Sequence, residues 1–313
     1  MKICITGSTG LVGSEAVKYF QEKGWDVIGI DNNARAENLG TPNKSPEYNI
    51  DIRDSEAIAE LFETHKFDAI LHAAGQASHD WSKDHPITDF TTNVWGTINL
   101  LEATRQLCPK ATFVYISSDK VYGENAPNRS EWTEKINLDQ TNRTPFGAGK
   151  LSADLYVQEY GRCYGMNTVC FRCGCITGKN HEGAELHGFL AYMTKCIKEG
   201  KTYKIFGFNG EQVRDQIHAW DLAGACYEFI KSPKIGAVYN MGGGPERAKT
   251  LIEFSRLLSD KIGLPFSAEF IDEPRWADRK YDVHDVGKFK GHYPDWKYEY
   301  DLGKIISDLC DTN

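Results

Sequence analysis

The chain has 313 residues, 41% apolar and 26% charged, which suits one large globular domain or two coupled ones. Its net charge of −8 argues against broad nucleic-acid binding, which needs a cationic surface. No apolar run approaches the ~20 residues of a membrane span, and a strand pattern begins at once, so no membrane anchor or signal peptide is expected and a cytoplasmic location is.

The first apolar run, Ile3-Cys4-Ile5, leads into Thr6-Gly7-Ser8-Thr9-Gly10-Leu11-Val12-Gly13. A helical pattern continues to Gly24, and a second apolar run from Trp25 to Ile30 ends at Asp31. Strand, glycine turn, helix, strand and acid in this order read as a dinucleotide site. Gly7 permits the tight turn, Gly10 lets the backbone approach a pyrophosphate, and Gly13 lets the helix pack on the strand. The helix N-terminus offers unpaired N–H groups and a positive dipole end to phosphates, so Leu11 and Val12 join the expected cofactor contacts. Asp31, about 20 residues beyond the glycines, can hold both ribose hydroxyls of NAD and repel a 2′-phosphate, with Asn32 beside it.

Further apolar runs fall at Ala69–His72 and 112–116, and helical patterns at Ser55–His65, 88–108 and 150–164. This alternation predicts an α/β fold, a doubly wound parallel sheet of Rossmann type with ligands at the carboxyl ends of the strands. A strand follows at 168–173. Beyond Cys175 the pattern loosens: a polar loop over 178–188, a helix over 189–198, a strand over 203–208, a helix over 221–231, a strand over 238–241, a helix over 250–262 and a mixed tail. The expected division is an NAD-binding domain over 1–175, to which 217–242 returns, and a smaller mixed α/β substrate-binding cap from 176–216 and 243–313.

Nine scattered cysteines include the cluster Cys170, Cys173 and Cys175. Strand alternation sends Cys170 away from the other two, and no histidine set completes a metal site, so reduced thiols and no bound metal are expected. Cys175 draws attention by position, near a strand end on the substrate side. His72, alone in an apolar run, is expected to be a satisfied core histidine.

Five more segments belong together: Asp51-Ile-Arg-Asp54, His72-Ala-Ala-Gly75, Ser117-Ser-Asp-Lys-Val-Tyr-Gly123, Phe146-Gly-Ala-Gly-Lys150 and Val213-Arg-Asp-Gln-Ile-His218. In this order and spacing the chain resembles the extended short-chain dehydrogenase/reductase family, NAD-dependent epimerases and dehydratases of nucleotide sugars. Ser78-His-Asp-Trp81, Arg172-Cys-Gly-Cys-Ile-Thr-Gly178, Ala184-Glu-Leu-His-Gly-Phe-Leu190, Gln212-Val-Arg-Asp215, Asp272-Glu-Pro-Arg275 and His292-Tyr-Pro-Asp-Trp296 look like its CDP-tyvelose (CDP-paratose) 2-epimerase subfamily.

The resemblance implies a role for each residue. Asp51 and Ile52 would flank the adenine, and Ala73, Ala74 and Gly75 would line the cofactor, with Asn93 behind the active site. Ser118 would bond the sugar hydroxyl being oxidised, and Lys150 would hold the nicotinamide ribose. Arg214, and Arg275 as a second clamp, would grip the substrate diphosphate in the manner of paired guanidinium forks. His79, Cys175, Leu186 and His187 would face the substrate. The activity implied is epimerisation of a CDP-sugar at C2 through a transient keto sugar. A 4,6-dehydratase, a nucleotide-sugar dehydrogenase and a catalytically impaired binding protein are the alternatives. Ser118-Asp119-Lys120 is also similar to the Ser-Asp-Lys of CDP-glucose 4,6-dehydratases, although Asp119 and Lys120 can equally form a local ion pair. Family members pair through two helices each, here 88–108 and 150–164, which implies a homodimer.

One departure matters. The family's Tyr-x-x-x-Lys is Phe146-Gly-Ala-Gly-Lys150 here, and phenylalanine cannot be a general base. A deliberate variant, a natural relocated base and a binding protein without catalysis are the three explanations, and the relocated base is favoured. His79, Asp80, Asp119, Lys120, Tyr122 and Cys175 are the candidates. His79 ranks first, since a histidine needs the least tuning near neutral pH.

Overall fold

The computed structural model describes residues 1–34, 46–181 and 188–311, so Leu186, His187 and most of the expected loop at 178–188 lie outside the described residues. Seven strands form one parallel sheet: β1 (Lys2–Thr6), β2 (Asp26–Asp31), β3 (Tyr48–Asn49), β4 (Ala69–His72), β5 (Thr112–Ser118), β6 (Asn167–Cys173) and β10 (Ala237–Met241). Their order is β10-β6-β5-β4-β1-β2-β3, which reverses direction between β1 and β4. That switch point opens a crevice at the carboxyl ends of the two strands, where open α/β sheets bind ligands.

The apolar runs are continuous because both faces are covered. Ile3, Ile5, Leu71, Val114 and Phe171 enter one core, beneath Tyr19 and Phe20 of the helix Leu11–Glu22 and Leu222 and Cys226 of the helix Ala219–Lys231. Cys4, Ile70, Phe113 and Cys170 enter the other, beneath the helices Ser55–His65, Gly96–Leu107 and Pro145–Tyr164. Each fully buried side chain of this kind contributes about 1.5–3 kcal/mol. Cys173 lies in the first core and Cys170 in the second. Cys175 belongs to neither alternation: after Gly174 the chain leaves the main sheet as β7 (Cys175–Thr177). None of the nine cysteines is in a disulfide.

A second sheet runs across those carboxyl ends. Its centre is β9 (Val213–His218), flanked by β11 (Ala248–Thr250) and β13 (Tyr281–Asp282) and paired also to β7. The register sets Asp282 beside Arg214 and Cys175 beside Gln216. A third core joins Met193, Ile205, Phe254 and Ile305, with β8 (Tyr203–Phe206) paired to β12 (Ala268–Ile271) alongside. Among the described residues no helix is long and apolar enough to cross a membrane.

Two elements near the site differ from the sequence pattern. The single helix expected over 88–108 is broken into Pro86–Phe90, a π-helical turn Thr91–Trp95 and Gly96–Leu107. At the break the Thr97 hydroxyl bonds the Asn93 carbonyl at 2.7 Å, while the Asn93 amide group donates to Asp89 Oδ1 and to the Gln76 carbonyl. Such π turns concentrate at functional sites. The helix expected from 150 begins instead at Pro145, because Thr144 caps it by accepting from Gly147 N at 3.1 Å and Pro145 takes the first turn. Its glycines hide that start from a propensity argument.

Candidate active site

The glycine turn closes tightly. Gly7 has φ +68°, a conformation that only glycine adopts at low cost, and a Cβ there would meet the Ala74 backbone at 2.8 Å. Gly10 N donates to Gly7 O at 3.0 Å, and a Cβ on Gly13 would overlap that same oxygen. No side chain caps the helix at Gly10, so the N–H groups at Leu11 and Val12 stay available to a phosphate.

Asp31 closes the far side. Its Oδ2 accepts from Thr9 N and Thr9 Oγ1 at 3.0 and 2.8 Å, and its Oδ1 from Asn33 N at 2.8 Å. Asn32 donates to Asp51 at 2.9 Å, and Arg53 binds the same carboxylate. Burial raises the Asp51 pKa, but the hydrogen bonds from Arg53 and Asn32 prevail and hold it at about 2. Ile52 is buried under the helix Gly96–Leu107, where Asn99 donates to its carbonyl at 3.0 Å.

Beyond β4, Ala74 N donates to Thr6 Oγ1 at 3.0 Å, and a Cβ on Gly75 would come within 2.8 Å of Asn93 Oδ1 and 3.4 Å of Lys150 Nζ. Gly75, Asn93 and Lys150 therefore converge from three elements. Asn93 Oδ1 is buried and lacks a hydrogen-bond partner, while Lys150 Nζ donates to the Ile116 carbonyl at 3.0 Å and lies 4.8 Å from the Tyr115 ring centre. Burial pulls the Lys150 ammonium down to about 8. Asp89, absent from the sequence reading, faces this group, and burial pushes its carboxyl up to about 6. His72 is sealed between Thr6 Oγ1 at 2.8 Å and Thr97 Oγ1 at 2.9 Å, a satisfied core histidine held neutral by burial.

On the substrate side Phe146 is buried one turn before Lys150, its N–H donating to Ser82 Oγ at 3.2 Å. Ser118, at the end of β5, donates to Asp119 Oδ1 at 3.0 Å and accepts from Lys120 N at 3.2 Å. Lys120 Nζ lies 3.3 Å from Asp119 and 3.4 Å from Asp282. Burial would raise the Asp119 pKa, but Lys120 and His284 lower it overall, so it is a carboxylate.

His79 Nε2 lies 3.1 Å from Asp80 and 3.1 Å from Arg275, which also grips Asp80; its Nδ1 is buried without a hydrogen-bond partner. Burial and then the Lys120 charge pull the imidazole down to about 4, so it is neutral at pH 7. Arg214 is committed to Asp278 at 2.5 Å and to the carbonyls of Arg279 and Val213, each at 2.7 Å. Two of the alternative bases are poorly placed. Tyr122 donates to Asn240 at 2.5 Å inside the fold and burial pushes it up to about 12, and burial drives the Cys175 thiol far above its usual range. Asp278, Asp282 and His284 also reach the site, from a tail whose sequence shows no periodicity that would single them out.

The glycine cradle, the uncapped helix and the orphaned amide oxygen of Asn93 together fit a dinucleotide. A model described as the NAD-dependent epimerase/dehydratase family matches residues 3–242. The chain belongs to that family. CDP-paratose 2-epimerase of Salmonella typhi is 32% identical, with 92% of each chain covered. A dTDP-glucose 4,6-dehydratase of Salmonella typhimurium is 30% identical, covering 99% of this chain and 87% of that protein. The crystal structure of Thermus thermophilus UDP-glucose 4-epimerase in complex with NAD matches with a TM-score of 0.86 at 25% identity, covering 99% and 98% of the two chains. The family's cofactor is NAD, and its members act as epimerases or dehydratases.

Proposed function

We propose that the chain is a nucleotide-sugar epimerase that inverts C2 of a CDP-linked sugar by transient oxidation to a keto sugar. The observation that carries this reading over the dehydratase is the locked Asp119–Lys120–Asp282 cluster at 3.3 and 3.4 Å. Expelling water needs an acid and a base free to exchange protons with the sugar, whereas epimerisation needs one proton acceptor beside the oxidised hydroxyl. The similarity to CDP-paratose 2-epimerase along both chains supports the same choice.

In this reading Gly7, Gly10, Leu11, Val12 and Gly13 receive the pyrophosphate of NAD, and Asp31 and Asn32 its adenosine ribose. Asp51 and Ile52 border the adenine, and Ala73, Ala74, Gly75, Asn93 and Lys150 border the nicotinamide end. When bound, NAD supplies the hydride acceptor and gives the hydride back, so no external reductant is consumed. Ser118 receives the sugar hydroxyl, and the neutral His79, through Nδ1, replaces the phenol missing at Phe146 as proton acceptor. Arg275 and Arg214 turn from Asp80 and Asp278 to the substrate diphosphate. Removing Arg275 from His79 while Asp80 stays raises the basicity of the ring as substrate binds. The cap formed by 176–216 and 243–313 brings Arg214 and Arg275 over a cofactor held by 1–175. The chain works as a homodimer, a reading supported by exposed Ile87, Phe90, Trp95, Leu155 and Tyr156 on helices that pack side by side.

Incubation with CDP-sugars followed by NMR should show inversion at one carbon without net NADH. His79→Asn should lower kcat about a hundredfold with NAD affinity retained, and Phe146→Tyr should bring no gain. A product lacking the 6-hydroxyl would assign a dehydratase, and stoichiometric NADH a dehydrogenase. Bound sugar with neither an epimer nor a change at 340 nm would leave a binding protein.

A further inference from the structure

The segment 283–285 runs beside Trp132, whose N–H donates to Val283 O at 2.8 Å and whose carbonyl accepts from Asp285 N at 2.9 Å. His284 therefore turns inward, fully buried, its ring edge-on to the Trp132 ring with centroids 5.2 Å apart. Two glycines make room for it. A Cβ on Gly174, between β6 and β7, would overlap the imidazole, and one on Gly242, just past β10, would lie 2.8 Å from the His284 Cβ. The ring thus occupies a built slot at the carboxyl edge of the main sheet, next to the end of β5.

Both ring nitrogens face carboxylates. Nδ1 lies 3.1 Å from Asp215 Oδ1 of β9, and Asp215 Oδ2 accepts from the backbone N–H groups of His284 and Gly244 at 3.0 and 2.9 Å. Nε2 lies 3.6 Å from Asp282 Oδ1, and neither of those two atoms has a hydrogen-bond partner. One carboxylate oxygen each of Asp119 and Asp282 and one ring nitrogen of His284 all fall within 4.8 Å of one another. Carboxylates on both sides of the ring favour its doubly protonated, charged form. Asp119 Oδ1 is in turn the acceptor for the Ser118 hydroxyl at 3.0 Å.

We propose that His284 is a positioning residue for Ser118: backed by Asp215, its ring holds Asp282 and Asp119 in place, and Asp119 keeps the Ser118 hydrogen turned inward. This rests on the reading of Ser118 as the group that meets the sugar hydroxyl. With its hydrogen given to Asp119 and one lone pair accepting from Lys120 N, Ser118 Oγ is held at a fixed point beside the substrate before the reaction begins. As His79 takes the proton of the sugar hydroxyl, the Ser118 hydrogen turns to the oxygen left behind. If the ring lost its charge, Asp215 would lose its paired cation, Asp119 and Asp282 would keep Lys120 with Arg279 and Arg214 beyond it, and the hold on Ser118 would loosen.

The groups facing the ring are Asp215 behind it and Asp119 and Asp282 in front, with Lys120, Arg279 and Arg214 beyond those two. The Tyr298 hydroxyl, on the Gly242 carbonyl at 2.5 Å, lies on the Asp215 side. Burial alone would lower the His284 pKa, but Asp215, Asp282 and Asp119 raise it from 6.5 to about 9. The charged ring is therefore complete below 6.5 and is lost as pH rises through about 9.

Imidazole NMR of the whole unliganded protein, from about pH 6 to about pH 10, should show one ring titrating near 9. That signal should be missing in His284→Gln and move down in Asp215→Asn. Wild-type kcat should show a step down near pH 9, separate from any set by Lys150 near 8, with KM for the nucleotide sugar little changed, and His284→Gln should lower kcat about tenfold and remove the step near 9. If His284→Gln does not fold, Asp282→Asn should move that step to lower pH. A ring titrating near 6.5, or a step near 9 that survives in His284→Gln or stays in place in Asp282→Asn, overturns the proposal. A wild-type protein that epimerises no CDP-sugar overturns the function instead. The titration, which needs no substrate, then still decides whether the ring carries the charge that its role requires.

Discussion

Gly13 sits where a single methyl group would collide with the Gly7 carbonyl oxygen, an atom fixed by its own bond from Gly10 N at 3.0 Å. Backbone cannot yield there as a flexible side chain would, so Gly13→Ala should open the turn and weaken NAD binding more than tenfold, measured by calorimetric titration. An unchanged affinity would remove the cradle from the cofactor reading. At Phe146 the family resemblance expects a phenol, and phenylalanine cannot ionise. Which groups stand around the vacated role was not visible. His79 and Arg275 meet across 196 positions of the chain, and the shift of His79 to about 4 arises from burial and from Lys120 rather than from its neighbours in sequence.

The helix Leu251–Ile262 shows a local rule acting alone. Thr250 Oγ1 accepts from Glu253 N at 3.1 Å while Glu253 Oε2 accepts from Thr250 N at 2.8 Å, a capping box formed within four consecutive residues. Thr250→Ala should cost about 1 kcal/mol, read as a lower denaturant midpoint with NAD affinity unchanged. A loss of NAD affinity would mean that the cap region and the cofactor crevice are coupled. The broken helix around Thr91–Trp95 is the opposite case. Its π turn depends on Asn93 reaching Gln76 and on Asp89 lying under Lys150, contacts to which the 3.6-residue period is blind. The early start at Pro145 was hidden for a related reason, since glycines that weaken helix propensity are what let this end of the helix lie against Lys120.

The molecule joins a twice-covered parallel sheet to a second sheet laid across its carboxyl ends, and β9 runs between β11 and β13 there. This arrangement explains why the polar residues cluster. The cations and carboxylates around Ser118 come from the segment after β5, from β9 and from the segments around β13, so their charges face one another inside the fold. Phe90, Trp95, Leu155 and Tyr156 are exposed on helical segments that touch one another. The proposed homodimer would cover them. Light scattering on the wild-type chain should give twice 35.2 kDa, and Leu155→Arg should shift the mass toward the monomer with the fold intact by circular dichroism. A wild-type mass of 35.2 kDa would discard the pairing.

Strand and helix alternation and the glycine turn with its distant acid were legible in the linear chain, because each depends on residues within one element or one βαβ unit. The sequence also sets phenylalanine, which cannot ionise, at position 146. The charged cluster of Lys120, Asp282, His284 and Asp215 became definite only in three dimensions. Its members come from the turn after β5, from β9 and from the segment around β13, and their protonation depends on burial and on through-space charge, neither of which sequence separation encodes.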